Sequence, residues 1–471
     1  MTKISGYGAL TALSYSDLLP LVDVSDTTMA ASGTTKKVTA AALRGILMPS
    51  GVDDTTAINT AMAAGMGPVL LGPGTFTAHL SPTSFTRILG MGAGITTLQN
   101  TAGQPLFSMD TVAAGKIDMF ELAYMTVNVT GADMFYGANI VRSSVHHCWL
   151  IQNSTANAIW NCSATTGQGT TYMAECEFFA NREYVLGTPR TIEAWHLDMQ
   201  GPNNANDNSW RRSTLYNQGH DTAMYHYRMI GNAGSSAASR ANEWFKLCFE
   251  YPTGGMIRLE GVTDATIDRC TNEDLAALTV TTNPLISLGV SAGGAACSNI
   301  KIDGYMRRGG SNVTTDIGAD SSAVNGIDIV NATQDAGGAA LAINLNGATS
   351  QSVRGIGGSG VSNLGSTAGT STRSLAADGL TGSAQTLATG NTITIANPVN
   401  RVSNSGAVTG IILTPGIVGG QEVCVLNQGT GSVTMAASGT SNVANGTGCV
   451  IAANTGLTFR WNSGQSLWYQ V

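Results

Sequence analysis

Val145-His-His-Cys-Trp-Leu, Met173-Ala-Glu-Cys-Glu-Phe, Ile192-Glu-Ala-Trp-His-Leu and Trp210-Arg-Arg-Ser-Thr-Leu are versions of one phrase, and Phe245-Lys-Leu-Cys-Phe-Glu and Ile267-Asp-Arg-Cys-Thr-Asn extend the series. Each opens on a large apolar residue. Three positions on stands a small or soft one: Cys148, Cys176, Trp195, Ser213, Cys248, Cys270. Weaker copies start at Leu122, Ile300 and Ile327. The starts lie about 18 to 35 residues apart, the window of a solenoid. A repeat of that size holds two or three short strands and their turns, and it buries its apolar side only by stacking on its neighbours. Val, Ile, Thr, Cys and aromatic residues dominate, with frequent Gly and Asn, which favours strands over helices. The expected fold is all-β: a right-handed parallel β-helix from about Glu121 to Asn331 and beyond.

Composition agrees. Charged residues are 11% of the 471, and there are 58 glycines; an ordinary domain carries more than twice that share of charge. The net charge of -7 comes without a basic patch, which argues against nucleic acid as a partner. No apolar run is long enough for a membrane span, and Met1-Thr-Lys-Ile-Ser-Gly has no signal-peptide core. Four of the eight cysteines, Cys148, Cys176, Cys248 and Cys270, fall on the inward position, as small apolar fillers with free thiols. No Cys-x-x-Cys occurs, and the six histidines lack ligand spacing, so neither metal nor cofactor is implied.

Around this body the chain divides into further parts. Residues 1–48 hold strands too short for a core of their own. The run Asp23-Val-Ser-Asp-Thr-Thr-Met-Ala-Ala-Ser-Gly-Thr-Thr-Lys-Lys-Val-Thr resembles the virion-binding segments of bacteriophage tail spikes and tail fibres. Residues 49–346 are the β-helix, opened by a capping helix near 54–65. The order Asp53-Asp-Thr-Thr-Ala-Ile, Pro73-Gly-Thr-Phe and Gly90-Met-Gly-Ala-Gly-Ile-Thr-Thr-Leu resembles the opening of the pectate-lyase-like β-helix superfamily, without its usual Asp-Tyr-Gly-Ala stretch. Residues 347–378 read as a Gly- and Ser-rich linker. Residues 379–471 read as a last β domain, a sandwich or jelly roll, for trimerisation or receptor binding; Asn427-Gln-Gly-Thr-Gly-Ser-Val-Thr and the Phe459 to Tyr469 stretch resemble C-terminal modules of phage tail proteins. These resemblances imply a homotrimer on a phage tail, docked to other tail or baseplate proteins through its N-terminus.

If each phrase is one strand, its fourth and sixth offsets point outward. That column places Trp149, Tyr216 and Tyr251 beside Glu177, His196 and Asp198. Rings that stack on pyranose faces and carboxylates that accept hydroxyls suit a polysaccharide; the same rings suit packing between subunits. Glu177 and Asp198, taken as neighbours one turn apart, would lie about 8 Å from each other, a separation used by inverting glycosidases. His196 would tune Asp198. Glu175 and Glu193 fall at corners. Two functions follow: recognition of a host-surface glycan without catalysis, and cleavage of that glycan by a hydrolase or lyase on the same scaffold. A secreted cellular lyase is disfavoured by the N-terminal segment. The sequence contains no Asp cluster for the calcium that a lyase needs.

Overall fold

The computed structural model describes residues 18–471 except 24–33, 40–44, 66, 110–115, 138, 164–171, 200–203, 218–223, 232–238, 252–253, 274–282, 309–314, 335–340, 346–347, 355–360, 363–383, 396–398 and 417–418. Three long parallel ladders run through it, of 12, 10 and 10 strands, called here the first, second and third sheets. A shorter four-stranded ladder precedes the first sheet in several turns. The chain visits the sheets in fixed order and each strand pairs with its counterpart one turn away. Thus Leu122 pairs with Val145, Val145 with Phe178, Phe178 with Trp210, Trp210 with Trp244 and Trp244 with Ile267. This is a parallel β-helix.

One recurring corner explains both the repeat and its irregularities. Between the first and second sheets the chain turns on two residues. The first is left-handed: Tyr124, His147, Ala180, Arg212, Lys246, Arg269, Gly304 and Asn331 all have φ between 47° and 63°. The second points into the core: Met125, Cys148, Asn181, Ser213, Leu247, Cys270, Tyr305 and Ala332 are all buried. A second corner of this kind leads into the first sheet, through Arg142, Glu175, Asp207, Ala241 and Asp264. At the corner between the first and second sheets an asparagine bridges successive turns: Asn181 Oδ1 accepts the Cys148 N–H at 3.0 Å, and Asn181 Nδ2 donates to the Val145 carbonyl at 2.9 Å.

The six phrases therefore do not share one position. Those at Val145, Trp210 and Ile267 cross the same corner. The Met173 phrase crosses the earlier corner, and the Ile192 phrase lies at the third sheet, on strand Trp195–Asp198. The Phe245 phrase is one residue out of phase: Trp244 and Leu247 are buried and Cys248 is outward and half-buried. Cys148, Cys176 and Cys270 are buried as expected; Cys248 is a correction, and none of the eight is in a disulfide.

The core is an aromatic column of two interleaved stacks. Phe107, Phe135, Trp160, Trp195 and Tyr227 follow one another on the third sheet at 4.9, 4.4, 5.6 and 5.5 Å. Phe178, Trp210 and Trp244 do so on the first, at 5.4 and 5.0 Å. The helix Thr55–Ala64 closes one end; Asp53 Oδ1 accepts the Thr55 N–H at 2.8 Å, and left-handed Gly65 ends it.

At the N-terminus, Leu18–Asp23 and Thr34–Thr39 form an antiparallel pair, and the rest of 1–44 lies outside the described residues. The β-helix runs past 346: strands Thr349–Arg354 and Val361–Ser362 continue its ladders, and the rest of the expected linker, 355–360 and 363–378, lies outside the described residues. In residues 385–470 a five-stranded and a four-stranded sheet share one core. They form a sandwich, but the first three strands of each sheet are parallel, unlike a jelly roll.

Candidate functional site

Connection lengths single out one face. From Ala123 onward, the passages from first to second sheet take two residues. Passages into the third sheet are longer: 153–159, 186–194, 218–226, 251–256, 274–285 and 309–316. Those leaving it include 164–171, 199–203 and 290–297. Insertions gathered on one face of a solenoid are the usual mark of a binding face.

The third sheet's outer face carries polar side chains in register. One column runs Tyr136, Asn161, His196, Arg228, Arg258, Ser287. Two residues further along the strands lie Asp198, Ile230 and Glu260. Two runs of polar contacts connect several of them to their neighbours. Asp133, just before the sheet, accepts the Ala158 N–H at 2.7 Å and Asn161 Nδ2 at 2.9 Å. His196 Nδ1 meets Glu193 Oε2 at 2.8 Å. Arg228 joins Glu193 at 3.5 Å to Glu260 at 3.0 Å, and Arg258 joins Glu260 at 2.6 Å to Asp320 at 3.5 Å.

Burial splits these acids. It lifts Asp133 above the usual carboxylate range despite its two hydrogen bonds. It also opposes charge on Glu193, but the His196 hydrogen bond and the His196 and Arg228 charges prevail and hold Glu193 below that range. Burial raises Asp320. Two buried oxygens on this face have no partner among the described residues: Asn161 Oδ1 and Asp198 Oδ1. They flank His196 in sequence register, and Asp198 is 5% exposed. A buried acceptor without a donor costs about 1–3 kcal/mol, so each of the two is an acceptor that an added O–H or N–H donor would satisfy.

The residues named from sequence separate onto different faces. His196 and Asp198 share the third sheet's outer face, as alternation requires, though Asp198 is buried there. Glu177 is exposed on the first sheet, 4.0 Å from Arg211. The Glu177–Asp198 pair is therefore not formed; the phrase at Met173 occupies a different corner from the one at Ile192, which breaks the assumed alignment. Trp149 and Tyr216 both point outward on the second sheet. One face of each ring is already engaged: the Arg182 guanidinium lies 5.8 Å from the Trp149 ring, and Tyr184 stacks on Tyr216 at 4.7 Å and 4°. Tyr251 is a half-buried turn residue with φ 57°, past the strand Cys248–Glu250. Phe249, at the fourth offset of the Phe245 phrase and so outward by the same rule, is buried. Sequence reasoning missed Asp133, Asn161, Arg228, Arg258, Glu260 and Asp320. Asn161, Arg228 and Arg258 each follow a third-sheet core residue (Trp160, Tyr227, Ile257) by one position, a signal legible only once that ladder is aligned. Cys248, Glu250 and Glu273 also cluster on the second sheet, with ligand atoms within 4.8 Å of one another.

No family model and no curated protein sequence matches the chain. Among solved structures it is similar to PfbA, a surface adhesin of Streptococcus pneumoniae, at 11% identity over 90% of this chain and 96% of that one, TM-score 0.46. It is similar to the tailspike protein of E. coli bacteriophage HK620 in complex with pentasaccharide, at 11% identity over 84% and 78%, TM-score 0.43. It is also similar to the Agl-KA catalytic domain, at 14% identity over 70% of this chain, TM-score 0.45, and spans 63% of that domain's length, less than two thirds.

Proposed function

We propose that the protein is a phage tail spike or fibre whose β-helix binds a host-surface polysaccharide along the outer face of the third sheet. The observation that carries this is the pair of unpartnered acceptors, Asn161 Oδ1 and Asp198 Oδ1, the first on the residue paired with His196 one turn away and the second two residues along the His196 strand, in a face bordered by long connections. A polyhydroxylated ligand brings the O–H donors that these oxygens lack, and Arg228 and Arg258 supply donors to its ring and hydroxyl oxygens. The N-terminal segment, on its resemblance to virion-binding segments, attaches the protein to the tail, and the assembly is a homotrimer.

Cleavage is the second reading, favoured by the burial that keeps Asp133 protonated further up the pH scale than an ordinary carboxylate. Asp133 would give its proton to the glycosidic oxygen as the C–O bond breaks, while Asp198 takes a proton from the water that attacks the anomeric carbon.

One experiment separates these readings. Purified protein is screened on an array of bacterial surface polysaccharides, and any bound polymer is then followed for loss of chain length. Arg228→Ala and Asn161→Ala should each weaken binding about tenfold, the equivalent of one hydrogen bond to a buried or charged group. Asp198→Asn should leave binding within a few-fold. If wild type shortens the polymer, Asp198→Asn should slow this by at least about a hundredfold. Binding that survives both Arg228→Ala and Asn161→Ala would remove the groove from the account.

A further inference from the structure

A second hollow lies on the C-terminal unit, a depression of about 520 Å³ bordered by Gly419, Gly420, Arg460, Ser463, Gln465 and Tyr469. Four large aromatic side chains are exposed among the described residues: Phe85, Tyr124, Trp149 and Tyr469. Tyr124 stacks on His147 and Trp149 lies under Arg182, and Phe85 is outside the depression. Tyr469 combines an exposed ring, no stacked ring or cation among the described residues, and a concave setting.

Its surroundings are ordered. The Tyr469 hydroxyl donates to Gln465 Oε1, which also accepts Asn462 Nδ2 at 3.2 Å. The strand-turn-strand from Gly456–Asn462 to Leu467–Gln470 fixes both ends of this network. With its oxygen occupied, Gln465 offers its amide N–H groups outward. Part of the wall is bare glycine backbone: Gly420 has φ 82°, and a Cβ on Gly419 would sit 2.7 Å from Ser463 Oγ. Arg460 is paired with Glu422, so the hollow has no uncompensated positive charge to prefer an anion.

We propose that this depression is a second saccharide subsite, separate from the third-sheet groove, that stacks one neutral pyranose on Tyr469. The sugar's C–H face meets the ring, and its hydroxyls accept from Gln465 Nε2 and exchange hydrogen bonds with Ser463 Oγ. The proposal goes beyond the groove and does not depend on it. Two such sites on one chain would raise avidity for a repeating polymer when its spacing lets both engage.

Saturation-transfer NMR on the full chain tests it, with methyl α-D-glucopyranoside, methyl α-D-galactopyranoside and methyl α-D-mannopyranoside as probes. Transfer is expected to the ring C–H protons of at least one probe, and it should persist in the groove variant Arg228→Ala. It should vanish in Tyr469→Ala and weaken several-fold in Gln465→Ala, an exposed-turn change that keeps the fold. No transfer to any of the three, or transfer unchanged in both Tyr469→Ala and Gln465→Ala, overturns the subsite. Loss of transfer in Arg228→Ala alone would also overturn it by assigning the signal to the groove.

Discussion

At the residue scale, burial decides which side chains keep their chemistry. The Cys148, Cys176 and Cys270 thiols are pushed up to about 12 by burial in the β-helix core, and Cys297 to about 11. The thiolate is the reactive form, so these four are inert in the folded chain. Cys248 and Cys424 are only partly buried. Titration of native protein with a thiol reagent at neutral pH should therefore modify Cys248 and Cys424 first and the four core thiols only on unfolding. All eight should titrate in denaturant without reductant. Rapid native labelling of Cys148 or Cys270 would contradict the inward corner column.

At the element scale, the corner is what the chain repeats. It combines an outward strand residue, a left-handed residue and an inward residue, and a strand then resumes. The left-handed position is held by Tyr, His, Ala, Arg and Lys as well as Gly and Asn, so it leaves no compositional trace. That is why the phrases were legible as a solenoid while their alignment was not. Two corners per turn accept the same apolar-x-x-small pattern, and a reader of sequence cannot tell Val145 from Met173. The fold class needed only the repeat; the Glu177–Asp198 pairing needed the phase, which the left-handed residues conceal. His196 and Asp198 were found together because simple strand alternation, not corner phase, relates them. The buried stack sets the energetic contrast between tryptophans. Trp210 is fully buried between Phe178 and Trp244, so Trp210→Ala should cost about 3–5 kcal/mol. Trp149 is 37% exposed, and Trp149→Ala should cost under about 1.5 kcal/mol. Denaturant unfolding of the two variants reads the difference directly; equal losses would place Trp149 in a packed interface instead.

At the scale of the whole molecule, the question is what covers the apolar residues that a single β-helix leaves in water. Met91, Ile95, Tyr124 and Trp149 are exposed by 39, 53, 44 and 37%, and they lie on three successive turns, Met91 and Ile95 together on the first, along the edge between the first and second sheets. One exposed apolar side chain is ordinary; a row of four along one edge is the kind of surface that association between chains would cover. On the second sheet beside it Arg182 already lies over Trp149 and Tyr184 over Tyr216, so the row offers burial more readily than sugar stacking. A homotrimer with this edge turned inward leaves the third sheet, with its long connections and its unpartnered acceptors, facing solvent. Light scattering should then give about three times the chain mass of 48.4 kDa, and Tyr124→Glu together with Ile95→Glu should shift the mass towards one chain while leaving polysaccharide binding per chain intact. A wild-type monomer at micromolar concentration would rule out the trimer. A trimer unaffected by the double substitution would move its interface away from this edge.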